Sequence, residues 1–277
     1  MAGKPDPEYV KARRVLLDAL VALSSHSDAL VLVGAQAIYL HVGAGELAVA
    51  PYTTDGDLAI HPEKLPDSPL LEEALGRGGF TPTGQPGIWT RDDVELDLLV
   101  PAAVGGPGRR GARLGPHGNR VARKAKGLEG ALIDSSPMEI GDLEDDERRF
   151  EVRVAGPAAL LVSKLHKIAD RADQPDRLGD KDALDVLRLL QGIGTRELAD
   201  SLQRLLAHEA SGEVTRQALD LLLRLFGADD APGVEMAVRA TEGLDEAATI
   251  RLSCAVLAAD LLAAVRSGVI LPHPDGA

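Results

Sequence analysis

Short apolar runs broken by glycine, proline and charge mark the first half of the chain, and longer stretches of helical periodicity mark the second. Tyr9 to Ser24 sets Val10, Leu16, Leu17, Leu20, Val21 and Leu23 at the spacing of an amphipathic helix. Leu30-Val31-Leu32-Val33 is a buried-strand pattern stopped by Gly34, and Ala35 to Val42 reads as a helix ended by Gly43-Ala44-Gly45. Asp55 to Ile60 is a second strand. Ser68 to Gly76 predicts a helix capped by Ser68, with acids in its first turn. Phe80 to Trp89 predicts an irregular path into another strand. Val94 to Val100 is a clear strand, and Phe150 to Val154 alternates like a closing one.

From Gly156 the pattern turns helical: Pro157 suits a first helical turn, and Ala158 to Arg171 follows. Further helices are expected over Asp180–Gln191, Thr195–Ser211, Glu213–Phe226, Ala231–Thr241 and Asp245–Ser267. The expected architecture is α+β: a mixed sheet with flanking helices over residues 1–155, then an all-helical region over 156–277.

Composition narrows the function classes. Aromatics are only 3%, so Leu, Val and Ala must fill the core, and the Ala/Leu/Arg/Asp/Gly bias is that of a high-GC bacterial genome. A formal charge of −13 argues against non-specific nucleic-acid binding over the whole surface, so any such contact needs a local basic patch. With Cys254 as the only cysteine, an intramolecular disulfide framework and a cysteine-rich zinc site are excluded. The polar start, Met1 to Glu8, is unlike a signal sequence, and no apolar run is expected to reach membrane-spanning length. A cytoplasmic protein with no membrane partner is the expectation.

The candidate chemistry begins at Asp55-Gly56-Asp57. Strand side chains alternate, so the two carboxylates should share one face, where they repel unless a cation lies between them. Glu95 and Asp97 repeat the spacing on the later strand, and either could serve as a third acid. Upstream, Gly34-Ala35 opens a helix whose first free N–H groups suit phosphates. Two divalent cations held by these carboxylates would neutralise a bound triphosphate and position an attacking oxygen.

These stretches, VLVGAQAIYL, TTDGDLAI and VELDLLV, together resemble the nucleotidyltransferase fold of the DNA polymerase β-like superfamily. Within it the chain is most similar to AbiEii/MenT-type toxins, the nucleotidyltransferase half of type IV toxin–antitoxin pairs. SKLHKIADR and LGDKDALDVLRLL carry that likeness to about Leu190. The resemblance implies that Gly34, Ala35 and Thr54 sit against the nucleotide phosphates. Asp55, Asp57 and Asp97 would hold two Mg ions, with Asp97 the third acid because Leu98 follows it. Lys164 would neutralise the triphosphate, Asp182 and Asp185 would orient basic side chains, and Arg171 and Lys181 would join the nucleotide pocket. Two positions depart from the pattern: Ala35 stands where Gly or Ser is usual, and Gly56 where a branched residue is usual.

The implied activity is Mg-dependent transfer of a nucleoside monophosphate from an NTP to an acceptor hydroxyl, with RNA, a tRNA 3′ end, as acceptor and an antitoxin as cognate partner. Nucleotidylation of a protein or of an aminoglycoside-like small molecule is the nearest variant. A non-catalytic NTP-binding module is the rival of another class.

Two further segments bear on these readings. Lys164 is flanked by Leu160, Leu161, Val162 and Leu165, so it should be largely buried and needs an anionic partner. Arg109 to Lys126 includes Arg109, Arg110, Arg113, Arg120, Arg123 and Lys124 and no acid. It reads equally as a flexible loop for an RNA backbone or nucleotide phosphates, or as a solvated loop paired with the acidic Glu139–Glu147 segment.

Overall fold

The computed structural model describes residues 5–43, 52–145, 147–172, 179–241 and 246–268. These divide between two compact units, the first running to Leu160 and the second beginning at Leu161. The protein is α+β, with a mixed eight-stranded sheet flanked by helices and a helical C-terminal region.

The first unit contains α1 (Pro7–Ala22), β1 (Leu30–Val33), α2 (Gly34–Val42), β2 (Asp55–Ile60), α3 (Leu71–Arg77), β3 (Thr81–Pro82), β4 (Ile88–Arg91), β5 (Val94–Pro101), β6 (Arg123–Ala125), β7 (Ser135–Gly141) and β8 (Arg149–Ala155). The sheet order is β3-β4-β5-β2-β1-β8-β7, with β6 added beside β5. β1 runs antiparallel to β2 and parallel to β8, while β2 and β5 are parallel. All four residues of β1 are buried, as expected of a central strand covered on both faces.

α1 covers one face of β2 and β5 with a fully buried stripe that includes Leu16 and Leu17. Gly56 lies directly beneath it: a Cβ there would stand 3.4 Å from Leu16 Cβ, an ordinary van der Waals contact. The glycine does not kink β2, which keeps unbroken register with β5 from Asp55 to Ala59.

Three local expectations are corrected. Ser68 does not cap a helix; the extended Leu70 precedes α3, whose first turn holds Glu72 and Glu73. Pro69 explains the shift, because a residue before proline is disfavoured in helical conformation. The Arg109–Lys126 segment is no loose loop. It folds back on itself, with Ala112 N donating to Ala122 O and Lys124 N to Arg110 O, and its β6 joins β5 in parallel. Ala112, Leu114, Val121 and Ala122 are buried beneath it. The acidic stretch also enters the sheet, since β7 pairs with β8 from Ser135 to Gly141, and Pro137 is tolerated because β7 is an edge strand.

The second unit takes α4 (Pro157–Ala172) from Leu161 onward, then α5 (Asp180–Gly192), α6 (Thr195–Ala207), α7 (Gly212–Phe226), α8 (Pro232–Ala240) and α9 (Ala247–Ser267). α9 packs on α5, α6, α7 and α8 through Ile250, Cys254, Ala258, Leu261, Leu262 and Val265. Burial pushes the Cys254 thiol up to about 12, which fits an inert core cysteine. The expectation that no apolar run reaches membrane-spanning length is corrected: the 21 residues of α9 suffice by length and composition. The buried stripe is also that of a core helix, although Leu252 and Val256 face outward. Of the Gly43-Ala44-Gly45 helix stop, Ala44 and Gly45 lie outside the described residues, as does most of the Ala172–Gly179 loop.

Candidate active site

Parallel pairing of β2 with β5 sets Asp55 beside Glu95 and Asp57 beside Asp97. Residues paired in this way share a face, so four carboxylates stand in two rows on the side opposite Gly56 and α1. The rows differ in depth: Asp57 is buried and Asp97 partly so, whereas Glu95 is exposed. The deeper row therefore consists of Asp57 and Asp97.

β1 turns directly into α2 at Gly34, whose φ of +70° lies in the left-handed region. A Cβ at Gly34 would stand 2.7 Å from the Asp57 carboxyl carbon, so only glycine lets this carboxylate lie against the start of α2. Register supports the contact, since Val33 pairs with Asp57. Ala35 is buried in the same turn, and Thr54 is exposed. A hydroxyl reaches the carboxylates from the buried Thr53, which donates to Asp55 Oδ1.

Two positioning residues went unnamed in the sequence reading. Gln36, in the first turns of α2, donates through Nε2 to the Asp55 carbonyl (2.9 Å). Its Oε1 accepts from Arg13 Nε at 2.7 Å. Arg13 is buried and also donates to the Gly141 carbonyl (2.9 Å) and to the Tyr9 hydroxyl (2.8 Å), so α1, α2 and β7 meet at one guanidinium and Gln36 extends the link to β2. Burial pulls its pKa below the usual arginine value. The signal in the sequence was a charged residue set among the apolar positions of α1, between Val10 and Leu17.

Arg123 of β6 grips Asp97, with Nη2 at 2.6 Å from Oδ2 and Nε at 3.3 Å from Oδ1. Burial works to lower the Arg123 pKa, but the hydrogen bond and charge of Asp97, with Asp57 and Glu95 adding, hold it above the usual value. Its seat is fixed by close backbone approach. Gly87, at φ +76°, donates to Arg120 O and accepts from Leu98 N, and a Cβ there would stand 2.7 Å from Leu98 O. Trp89 Nε1 donates to Val121 O (2.9 Å) from beneath.

Among the described residues, Arg109, Arg110, Arg113 and Arg120 are exposed and form no ion pair; Arg110 and Arg120 reach only Gln85 Oε1 and Gly84 O. Lys124 Nζ turns back onto the Gly106 and Gly108 carbonyls. The acidic segment finds its partners elsewhere. Asp142 and Glu144 pair with Arg14 at 3.2 and 3.0 Å, and Glu139 pairs with Arg149 at 2.7 Å.

The remaining candidate residues lie in the second unit. Lys164 Nζ donates to Asp182 Oδ1 and to Asp185 Oδ2, both at 2.7 Å, and all three side chains are almost fully buried. Asp182 also accepts from Arg171 and stands 3.5 Å from Lys167, which are about one-third exposed. The charges of Asp182 and Asp185 outweigh burial and hold the Lys164 pKa well above its usual value. Lys164, Lys167 and Arg171 likewise hold Asp182 far below the carboxylate range. The anionic partners of the buried lysine are thus two aspartates of α5. Lys181 is half-buried on the same helix.

The donors on the β2–β5 face are all carboxylate oxygens, the set that hard cations such as Mg prefer, and the face already holds a guanidinium as counter-charge. Among the described residues, however, no three His, Cys, Asp or Glu side chains converge as a metal-binding group. The carboxylate face, the start of the glycine-led helix and the basic hairpin thus meet at the sheet of an α+β protein. Comparison with protein-family models, curated proteins and solved structures gives no match for the chain.

Proposed function

We propose that this protein is a metal-dependent nucleotidyltransferase of the DNA polymerase β-like superfamily, of the AbiEii/MenT toxin type, acting in the cytoplasm on RNA. The observation that carries the reading is the register of β2 and β5, which sets buried Asp57 beside Asp97 on the face that Gly34 opens to the start of α2. Like charges at this spacing destabilise a strand pair unless cations offset them, which favours a cation-binding role for the face.

In this reading the acceptor hydroxyl attacks the α-phosphorus of the NTP, the new P–O bond forms, and the bond to the β,γ-unit breaks to release pyrophosphate. Divalent cations held by Asp55, Asp57 and Asp97 would neutralise the phosphates and align the attacking oxygen. Asp97 takes the hydroxyl proton on a carboxylate oxygen, and the first N–H groups of α2 donate to phosphate oxygens. Gln36 and Arg13 fix the backbone from which Asp55 projects.

The exposed arginines of the 109–126 hairpin, which pair with no acid among the described residues, favour a polyanionic acceptor such as a tRNA end over a small molecule. Incubation with labelled NTPs, Mg and total tRNA tests this. Label in tRNA that disappears with Asp55→Ala, Asp57→Ala or Asp97→Ala supports it. Label only in a small molecule or a protein moves the acceptor, and no incorporation by the wild-type chain refutes the enzyme.

A further inference from the structure

We infer that Arg123 is a resident counter-cation that shuts the carboxylate face to metal, and that a divalent cation engages Asp97 only after this guanidinium lets go. The inference rests on the metal-dependent reading of the face.

Three observations carry it. Arg123 holds both oxygens of Asp97, so an ion approaching that carboxylate must share its oxygens with a guanidinium and meets the repulsion of a fixed positive charge. Asp57 is the in-register neighbour of Asp97, so a buried and a partly buried carboxylate stand side by side, and such a pair needs a positive charge in the metal-free protein. Finally, the guanidinium can leave without unfolding anything. The Arg123 side chain is 33% exposed against 15% for Asp97. Its backbone is held independently by the β5–β6 pairing, the Gly87 approach and the Trp89 bond to Val121.

The consequence is competition between one guanidinium and one metal ion for the same carboxylate. Once released, Arg123 stands in the hairpin that carries Arg110, Arg113 and Arg120, as a fifth donor with Arg109 for phosphate oxygens. Arg123 is thus a positioning residue, acting through Asp97 on the ion.

Mn²⁺ binding to the full chain without nucleotide tests this, read from the electron paramagnetic resonance signal of the free ion. Arg123→Gln should bind Mn²⁺ about tenfold more tightly than wild type, the scale of one competing charge-assisted hydrogen-bonded pair. Asp97→Asn in the same background should erase the gain. If Arg123→Gln does not fold, Arg123→Lys carries the comparison: it keeps the charge but loses the two-pronged grip, and a several-fold gain is expected. Equal or weaker binding by the folded variant overturns the inference and leaves the metal-dependent enzyme standing. Absence of Mn²⁺ binding in wild type and variant alike overturns both.

Discussion

Replacing Lys164 by methionine removes the cation that two buried carboxylates share. Both hydrogen bonds to Lys164 Nζ are 2.7 Å, and the side chains of Lys164, Asp182 and Asp185 are at most 4% exposed, so solvent screening is slight. Asp182 would retain Lys167 and Arg171, and the main loss falls on Asp185. Removing one partner of a buried pair costs about 3–5 kcal/mol, because the carboxylate left behind is poorly solvated. At roughly 3–6 °C per kcal/mol, between the values for small and for large domains, the melting temperature should fall by about 9–30 °C.

The double variant Lys164→Met/Asp185→Leu should recover much of that loss, since an apolar replacement of a buried pair is often neutral. The pH dependence has two arms. Asp182 is held below the carboxylate range, so its stabilisation is present above about pH 4 and is lost as pH falls towards the depressed folded value. Lys164 is raised, so its stabilisation is present below about pH 10.4 and is lost as pH climbs through the higher folded value. Calorimetry across pH on the wild type and both variants checks the whole cycle. A Lys164→Met protein that melts within about 3 °C of wild type would show that the cluster is not what holds α4 to α5, and the reasoning would fail.

Three further outcomes are expected. Gly34→Ala meets both a left-handed backbone and the Asp57 carboxyl, and should cost about 1–3 kcal/mol. Gly56→Ala meets only Leu16 at 3.4 Å and should be neutral or gain up to about 1 kcal/mol; urea unfolding that ranks the two the other way refutes the assignment. Burial holds the His26 pKa below its usual value, with its Nε2 on the Pro69 carbonyl. The unfolded chain then binds the proton more readily, so the contribution of His26 is present above about pH 6.5 and is lost as pH falls through the folded value. His26→Leu should flatten the urea-midpoint slope between pH 8 and 5.5, and an unchanged slope counts against it. Arg110→Ala, Arg113→Ala and Arg120→Ala should each weaken tRNA binding regardless of sequence. Each should reduce the slope of log K against log salt by somewhat under one, measured by fluorescence anisotropy, and parallel slopes would remove the hairpin from the RNA surface.

Local order is set by which residues want burial, and that was legible from the residues alone. The period-two alternation in β2 and β5 put Asp55 with Asp57, and Glu95 with Asp97, on common faces before any strand was paired. The helices from α4 to α9 follow from apolar spacing within a few residues of their expected ends. The exceptions are equally physical: Pro69 displaced the start of α3, and β6 and β7 went unseen because short or edge strands carry little hydrophobic pattern.

What the sequence by itself determined, then, was the elements and the face each acid occupies. Tertiary structure decided who meets whom. Asp97 stands beside Asp57 because β2 and β5 pair in parallel at that register, and Arg123 reaches Asp97 across 26 residues because a basic hairpin closes against β5. Likewise Arg13 finds Gln36, and Lys164 finds Asp182 and Asp185, only when separate helices pack. Periodicity is a property of neighbours in the chain, whereas the pairing of charges depends on which edges and faces exclude water together.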